Sequence, residues 1–190
     1  LNAIDPSAVC IIDTDSDSIV RIIPTGPLPK MIASSPDNKH VAISHWGNNT
    51  VALLDIQGEN PKSFHYVSEL LIDKEMNLNY GKEEKINRDQ GCGACLRGSI
   101  FSPDSKYLFI GKMGGASIAI IDVETKKYLG DIKGMRGNLR HLIISNGWLY
   151  LSINKYGYIQ RTPLIDFVAH IEKINEPYNN WEELYVGTGA

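Results

Sequence analysis

Apolar residues in this chain fall in short runs, VCII at 9–12, VALL at 51–54, LFI at 108–110 and IAII at 118–121, and not at the three-to-four spacing of helices. Turn formers separate them: DSDS at 15–18, SPDN at 35–38, GNN at 47–49, SPDS at 102–105 and GG at 114–115. Short apolar runs bounded by Pro, Asp, Asn and Gly predict β-strands buried on both faces. In the clearest stretch the pattern predicts strands over Gly98–Phe101, Tyr107–Gly111, Ser117–Asp122 and Tyr128–Ile132, with SPDS and KMGG as two of the turns. Pro presets the backbone angle of its turn and Asp bonds its own chain nearby. One segment departs from this pattern. PLIDFVAHIEKINEPYNN (163–180) carries Leu164, Val168 and Ile171 at helical spacing and stops at Pro177, which predicts an amphipathic helix packed on the far side of the sheets.

The strand pattern repeats. SSPDNKHVAISHWGNNTVALLDI (34–56) aligns without a gap on FSPDSKYLFIGKMGGASIAIIDV (101–123), so Pro36 falls on Pro103 and Asp55 on Asp122, an offset of 67. A third copy, ISNGWLYLSINKYGYIQRTPL (144–164), places Ser145 on Ser102 and Tyr150 on Tyr107, an offset of 43. AVCIID (8–13) matches TVALLD (50–55), an offset of 42. The period is therefore 42 or 43, and the longer interval holds an insertion of about 25 residues, a spacing in the range of propeller repeats. Four short antiparallel strands per period make a propeller blade, whose faces its neighbours bury. The third copy has SNGW in place of the SPD turn and Pro163 in place of the repeated Asp, so its third-to-fourth connection is expected to differ.

SPDSKYLFIG, NNTVALLDI and the final VGTGA resemble the YVTN-repeat propellers, WD-like repeats of bacterial and archaeal surface and periplasmic proteins. The resemblance covers nearly the whole chain apart from two insertions, and it implies an all-β propeller and an extracytoplasmic location. The expected division is a third and fourth strand over 1–29, a blade with a loop insertion over 30–96, a blade over 97–139, and a blade with a helical insertion over 140–190. That amounts to three and a half blades of a domain that the resemblance makes seven-bladed, with the remaining blades expected from the same or another chain.

Composition changes this picture little. The 190 residues are 43% hydrophobic and 22% charged with a formal net charge of −3, which gives no basic surface for nucleic acid. No run approaches the roughly 18 apolar residues of a membrane-spanning helix. Three cysteines, Cys10, Cys92 and Cys95, are too few for a disulfide framework.

Candidate chemistry is sparse. Asp13, Asp15 and Asp17 imitate the start of a calcium loop, but Ser18 stands where such a loop needs Gly and Pro24 where it needs Glu. Their register with Asp55 and Asp122 reads instead as a repeated turn. Cys92 and Cys95 form a CxxC in the first insertion, open to three readings: a local disulfide, plain thiols, or redox or metal work. Leu96 replaces the His of a c-type haem motif, and no second pair completes zinc. Cys10 aligns with Ala52 and Ala119 and is expected in the core.

The repeat itself points to a ligand site. Six residues before Pro36, Pro103 and Asn146 stand Lys30, Arg97 and Arg140, a cation at the start of each first strand. First strands line the channel, so these three form an arc at one mouth, suited to a carboxylate or phosphate or else satisfied by the adjacent blade. His141, His45 and Trp46 are candidate companions on the same face. No catalytic triad, phosphate loop, metal cluster or cofactor motif emerges. The leading expectation is a non-enzymatic propeller that binds a protein or an anionic small ligand at the loop-bearing mouth. An enzyme or cofactor-associated redox subunit with its site in the channel is the alternative, on analogy with propeller lactonases and dehydrogenases. A surface-layer or adhesion module is the third.

Overall fold

A computed structural model describes residues 5–58, 60–74, 76 and 92–187. Its strands are β1 (Pro6–Asp13), β2 (Ser18–Pro27), β3 (Pro29–Ser34), β4 (His40–His45), β5 (Thr50–Asp55), β6 (His65–Leu71), β7 (Leu96–Phe101), β8 (Tyr107–Lys112), β9 (Ser117–Asp122), β10 (Lys127–Lys133), β11 (Leu139–Ser145), β12 (Trp148–Ile153), β13 (Tyr158–Pro163) and β14 (Glu182–Tyr185). They form one two-stranded sheet, β1-β2, and three four-stranded antiparallel sheets, β3 to β6, β7 to β10 and β11 to β14, each a simple meander. These are propeller blades. Their first strands adjoin in sequence, β3 against β7 and β7 against β11, and so form the inner wall.

Strand alternation explains how each blade is buried on both faces. On β9, Ile118 and Ile120 pack toward the third four-stranded sheet with Leu142, Leu149 and Leu151, while Ala119 and Ile121 pack toward the first with Val51 and Leu53. On β5, Val51 and Leu53 face one way and Ala52 and Leu54 meet Val9 and Ile23 of the two-stranded sheet. A period of two thus turns one continuous apolar run into two interfaces.

The turns are held by the residues that mark the repeat. Asp13, Asp55 and Asp122 each end a third strand and accept a turn N–H, from Asp15 at 3.0 Å, Gln57 at 2.8 Å and Thr125 at 2.8 Å. The DTDSDS stretch is therefore a self-capped turn, and Asp17 takes a left-handed φ of 50° to close it. In the SPD turns the Ser35 and Ser102 hydroxyls donate to Asp37 and Asp104. These bonds hold the Asp13, Asp37, Asp55 and Asp104 carboxyls below the usual range.

The second insertion contains helix α1 (Leu164–Ala169), continued by a 3₁₀ turn over His170–Lys173. Phe167 is fully buried, edge-on to Phe109 at 5.4 Å and to Tyr178 at 5.6 Å. Pro163 ends β13 where other blades place Asp, and the chain turns directly into the helix. No described helix is long and apolar enough to cross a membrane.

Cys10 is not in the core. It is exposed, because on β1 it alternates with buried Val9 and faces away from the neighbouring sheet. Ile12 and Ile22 share that uncovered side, 58% and 59% exposed, and Ile143 and Leu184 lie exposed on the last sheet.

Candidate functional site

Antiparallel pairing brings one end of every first strand to the same edge as the turn between second and third strands. Pro29 pairs with His45, so Lys30 stands beside the turn that begins at Trp46. Lys30 Nζ lies 5.1 Å from the Trp46 ring centroid, and Arg97 Cζ of the next blade lies 4.2 Å from it. Both are cation–π distances. The indole is 4% exposed, and its Nε1–H has no hydrogen-bond partner among the described residues.

Arg140 joins this group because β7 and β11 touch at the backbone. A Cβ on Gly98 would sit 2.8 Å from His141 Cα and 2.9 Å from the Arg140 carbonyl oxygen. Only a residue without Cβ allows that approach, which sets Arg97 and Arg140 side by side. Their charges are felt locally. Burial and then the Arg97 and Arg140 guanidinium groups hold the Lys30 amine below its usual range. Burial, Arg140 and Arg97 likewise lower the His141 imidazole. Among the described residues, neither Lys30 nor Arg140 forms an ion pair with a carboxylate.

Lys30, Trp46, Arg97, Arg140 and His141 are therefore brought together. His45 is not. It is the last residue of β4, not a turn residue, and is fully buried in a different network. Its Nε2 accepts from the Gly26 N–H at 3.2 Å and meets the Thr25 hydroxyl at 2.7 Å, which leaves the proton on Nδ1, facing Thr50 at 2.9 Å. The Thr50 hydroxyl lies 3.0 Å from Glu69. Burial lowers the His45 imidazole, and the Glu69 charge only partly opposes this. Thr25, Gly26, His45 and Glu69 line a cleft of about 580 Å³ between the two-stranded sheet and its neighbour.

Cys92 and Cys95 are joined by a disulfide at the base of the first insertion. They pack in one apolar group with Trp46, Leu28 and Met113. The remainder of that insertion, 77–91, lies outside the described residues. No group of three metal-ligating side chains occurs among the described residues.

Repeat counting missed a second cluster. Lys112, on the otherwise apolar β8, is 5% exposed and bonds Asp131 at 2.6 Å, with Asp73 at 3.9 Å. The Tyr128 hydroxyl donates to Asp131 at 2.7 Å and that of Ser117 at 3.2 Å. A lysine ending the run YLFIGK was the available signal. The cluster ties the start of the insertion to the second four-stranded blade and so serves the site's architecture.

No family model matches this chain. It is 30% identical over 91 residues, 48% of its length, to an iron-sulfur flavoprotein of Archaeoglobus fulgidus, and the match spans 40% of that protein. Among solved structures it resembles Kuenenia stuttgartiensis hydrazine synthase, with a TM-score of 0.54 at 16% identity over 73% of this chain and 33% of that one. The chain thus spans well under two thirds of both proteins. The structural likeness agrees with the propeller-type fold.

Proposed function

We propose that this chain belongs to an extracytoplasmic YVTN-type β-propeller that binds a carboxylate- or phosphate-bearing ligand, small molecule or protein segment, at its loop-bearing channel mouth. One observation carries the reading. Cations from three successive first strands stand close together, two of them over a buried tryptophan; burial and then the Arg97 and Arg140 charges lower the Lys30 amine, and no described carboxylate pairs with Lys30 or Arg140. Clustered like charges raise the energy of the empty site, and an anion entering it relieves that energy. The indole N–H, which has no hydrogen-bond partner among the described residues, adds a donor. The rest of the ring, seven-bladed by the repeat resemblance, comes from further blades of the same or another chain. These would cover Ile12 and Ile22 at one end and Ile143 and Leu184 at the other.

The test is calorimetric titration of the protein with citrate and with inorganic phosphate at low ionic strength, beside a Lys30→Ala, Arg140→Ala double variant. Each charged hydrogen bond is worth about 1.5–3 kcal/mol, so the double variant should bind at least about tenfold more weakly. Absence of binding by either anion, or equal binding by the variant, refutes the reading.

The second reading, a redox subunit, draws on the partial likeness to an iron-sulfur flavoprotein. This chain's own donors do not fit a cluster, which takes four cysteine thiolates or, in Rieske centres, two thiolates and two imidazoles. It has three cysteines, of which Cys92 and Cys95 are bonded to each other and Cys10 stands on the separate strand β1.

A further inference from the structure

We infer that the Cys92–Cys95 disulfide is a redox control on the anion site: oxidised, it holds Trp46 and Arg97 in their binding arrangement, and reduced, it releases them. The inference rests on the anion-binding reading above and adds its regulation. Three observations lead to it.

The disulfide is joined to the site by contact and by chain. Both sulfurs lie in the apolar group that contains Trp46, whose ring carries Lys30 and Arg97. Arg97 is also only two residues beyond Cys95, with fully buried Leu96 between them.

The turn is under conformational constraint. Cys95 has a φ of 50°, in the left-handed region that non-glycine residues avoid, and its N–H bonds the Cys92 carbonyl at 3.1 Å. The Met113 N–H bonds the Cys95 carbonyl at 3.2 Å and the Gly114 N–H bonds the Ala94 carbonyl at 3.2 Å, so the turn between β8 and β9 is moulded onto the bridge.

There is no slack around it. Cys92 is 1% and Cys95 2% exposed, and a Cβ on Gly114 would clash with the Gly93 carbonyl oxygen and meet Cys95 Sγ at 2.8 Å.

Reduction by a dithiol breaks the S–S bond. Each sulfur takes up one proton with its share of the electron pair, and the dithiol leaves as its own disulfide. Two sulfurs bonded at about 2 Å must then separate to contact distance inside a space that has no room for a methyl group. Groups able to yield are the Cys95 backbone, free to leave its left-handed conformation, and the Trp46, Leu28 and Met113 side chains packed with the sulfurs. Motion of the Cys95 backbone or of the Trp46 ring parts Arg97 from Trp46 and loosens the convergence of charge.

The experiment uses the full chain carrying 5-fluorotryptophan, with the Trp46 fluorine resonance assigned by Trp46→Phe and thiols counted to verify redox state. Oxidised protein should show one free thiol, Cys10, and reduced protein three. On reduction the Trp46 resonance should shift while the chain stays folded by circular dichroism. Citrate affinity should fall at least about fivefold, the lower end of couplings between linked sites. A Cys92→Ser, Cys95→Ser variant should hold the weaker affinity with or without dithiol. An unmoved Trp46 resonance overturns the inference whether or not an anion binds, as does a bridge that yields only when the chain unfolds. A shifted resonance with unchanged citrate affinity overturns the control and leaves the anion site standing. Oxidised protein that binds neither citrate nor phosphate overturns the anion reading and its regulation together.

Discussion

Replacing Gly98 with alanine should separate two first strands and thereby both destabilise the chain and weaken its anion site. The added Cβ would meet His141 Cα at 2.8 Å, the Arg140 carbonyl oxygen at 2.9 Å and the Leu142 nitrogen at 3.1 Å. All three are backbone atoms, which cannot rotate aside as a flexible side chain does. Relief requires β7 and β11 to move apart at the join between the last two blades, where Leu139 and Leu142 are buried against β8 and β9. Because the atoms met are backbone, the cost should fall toward the upper end of the about 1–3 kcal/mol of overpacking, against which the chain-entropy gain of Gly→Ala returns about 0.4–1. For a domain near this size each kcal/mol moves Tm by about 2–4 °C, so a drop of several degrees is expected. Gly137→Ala is the matched control, because its Cβ would meet only Ala116 Cβ, at 3.9 Å. Differential scanning calorimetry reads the stability and citrate titration reads the site, which should weaken because Arg97 and Arg140 no longer abut. A Gly98→Ala chain that melts within about 1 °C of the parent, or no lower than Gly137→Ala, would refute the close-approach argument.

Three further outcomes follow from the same contacts. Burial holds the His45 imidazole below its ordinary value, and partial desolvation with the Arg140 and Arg97 charges does the same for His141, whose exposed ring counts for less because solvent screens it, so the unfolded chain takes up protons before the folded one as pH falls. Their contribution is complete above about pH 6.5 and is lost below it, ahead of the aspartates; urea titration between about pH 7 and pH 5 should show stability falling, with a shallower slope in His45→Gln. Arg140→Gln keeps the side-chain stem but removes a like charge near Lys30, so stability should hold or rise at about 10 mM salt, with any gain fading at about 0.5 M; a clear loss would show that Arg140 is compensated in the native chain. Among the described residues, Asp131→Ala leaves the buried Lys112 ammonium with only Asp73 at 3.9 Å, and chemical denaturation should register a loss of about 3–5 kcal/mol; a loss below about 1 kcal/mol would mean the network is not structural.

The blade pattern was open to reading from the chain because it is local and repeated. Apolar runs of β-period, SPD turns and the Asp that ends β1, β5 and β9 are determined by short-range backbone chemistry, and the repeat multiplied each weak signal. The same register placed Lys30, Arg97 and Arg140 at equivalent points, since each stands near the start of the first strand of its blade. Pro163 and the helical spacing after it marked the connection that carries the helix.

Other features depend on which surfaces meet, and no local pattern carries that. Sequence neighbours His45 and Trp46 serve different networks because one ends a strand and the other begins a turn, a difference of one residue in register. Cys10 shares its repeat position with buried Ala52 and Ala119 yet is exposed, because burial in a propeller belongs to the neighbouring blade and not to the strand. Gly98, an unremarkable glycine in the sequence, governs how closely two cationic strands approach, and that is a property of the pair. The sequence alone determined the strands, the turns and the repeated cations. Packing of one blade on the next decided which cations converge, what lies beneath them, and that the cysteine bridge sits against the tryptophan they share.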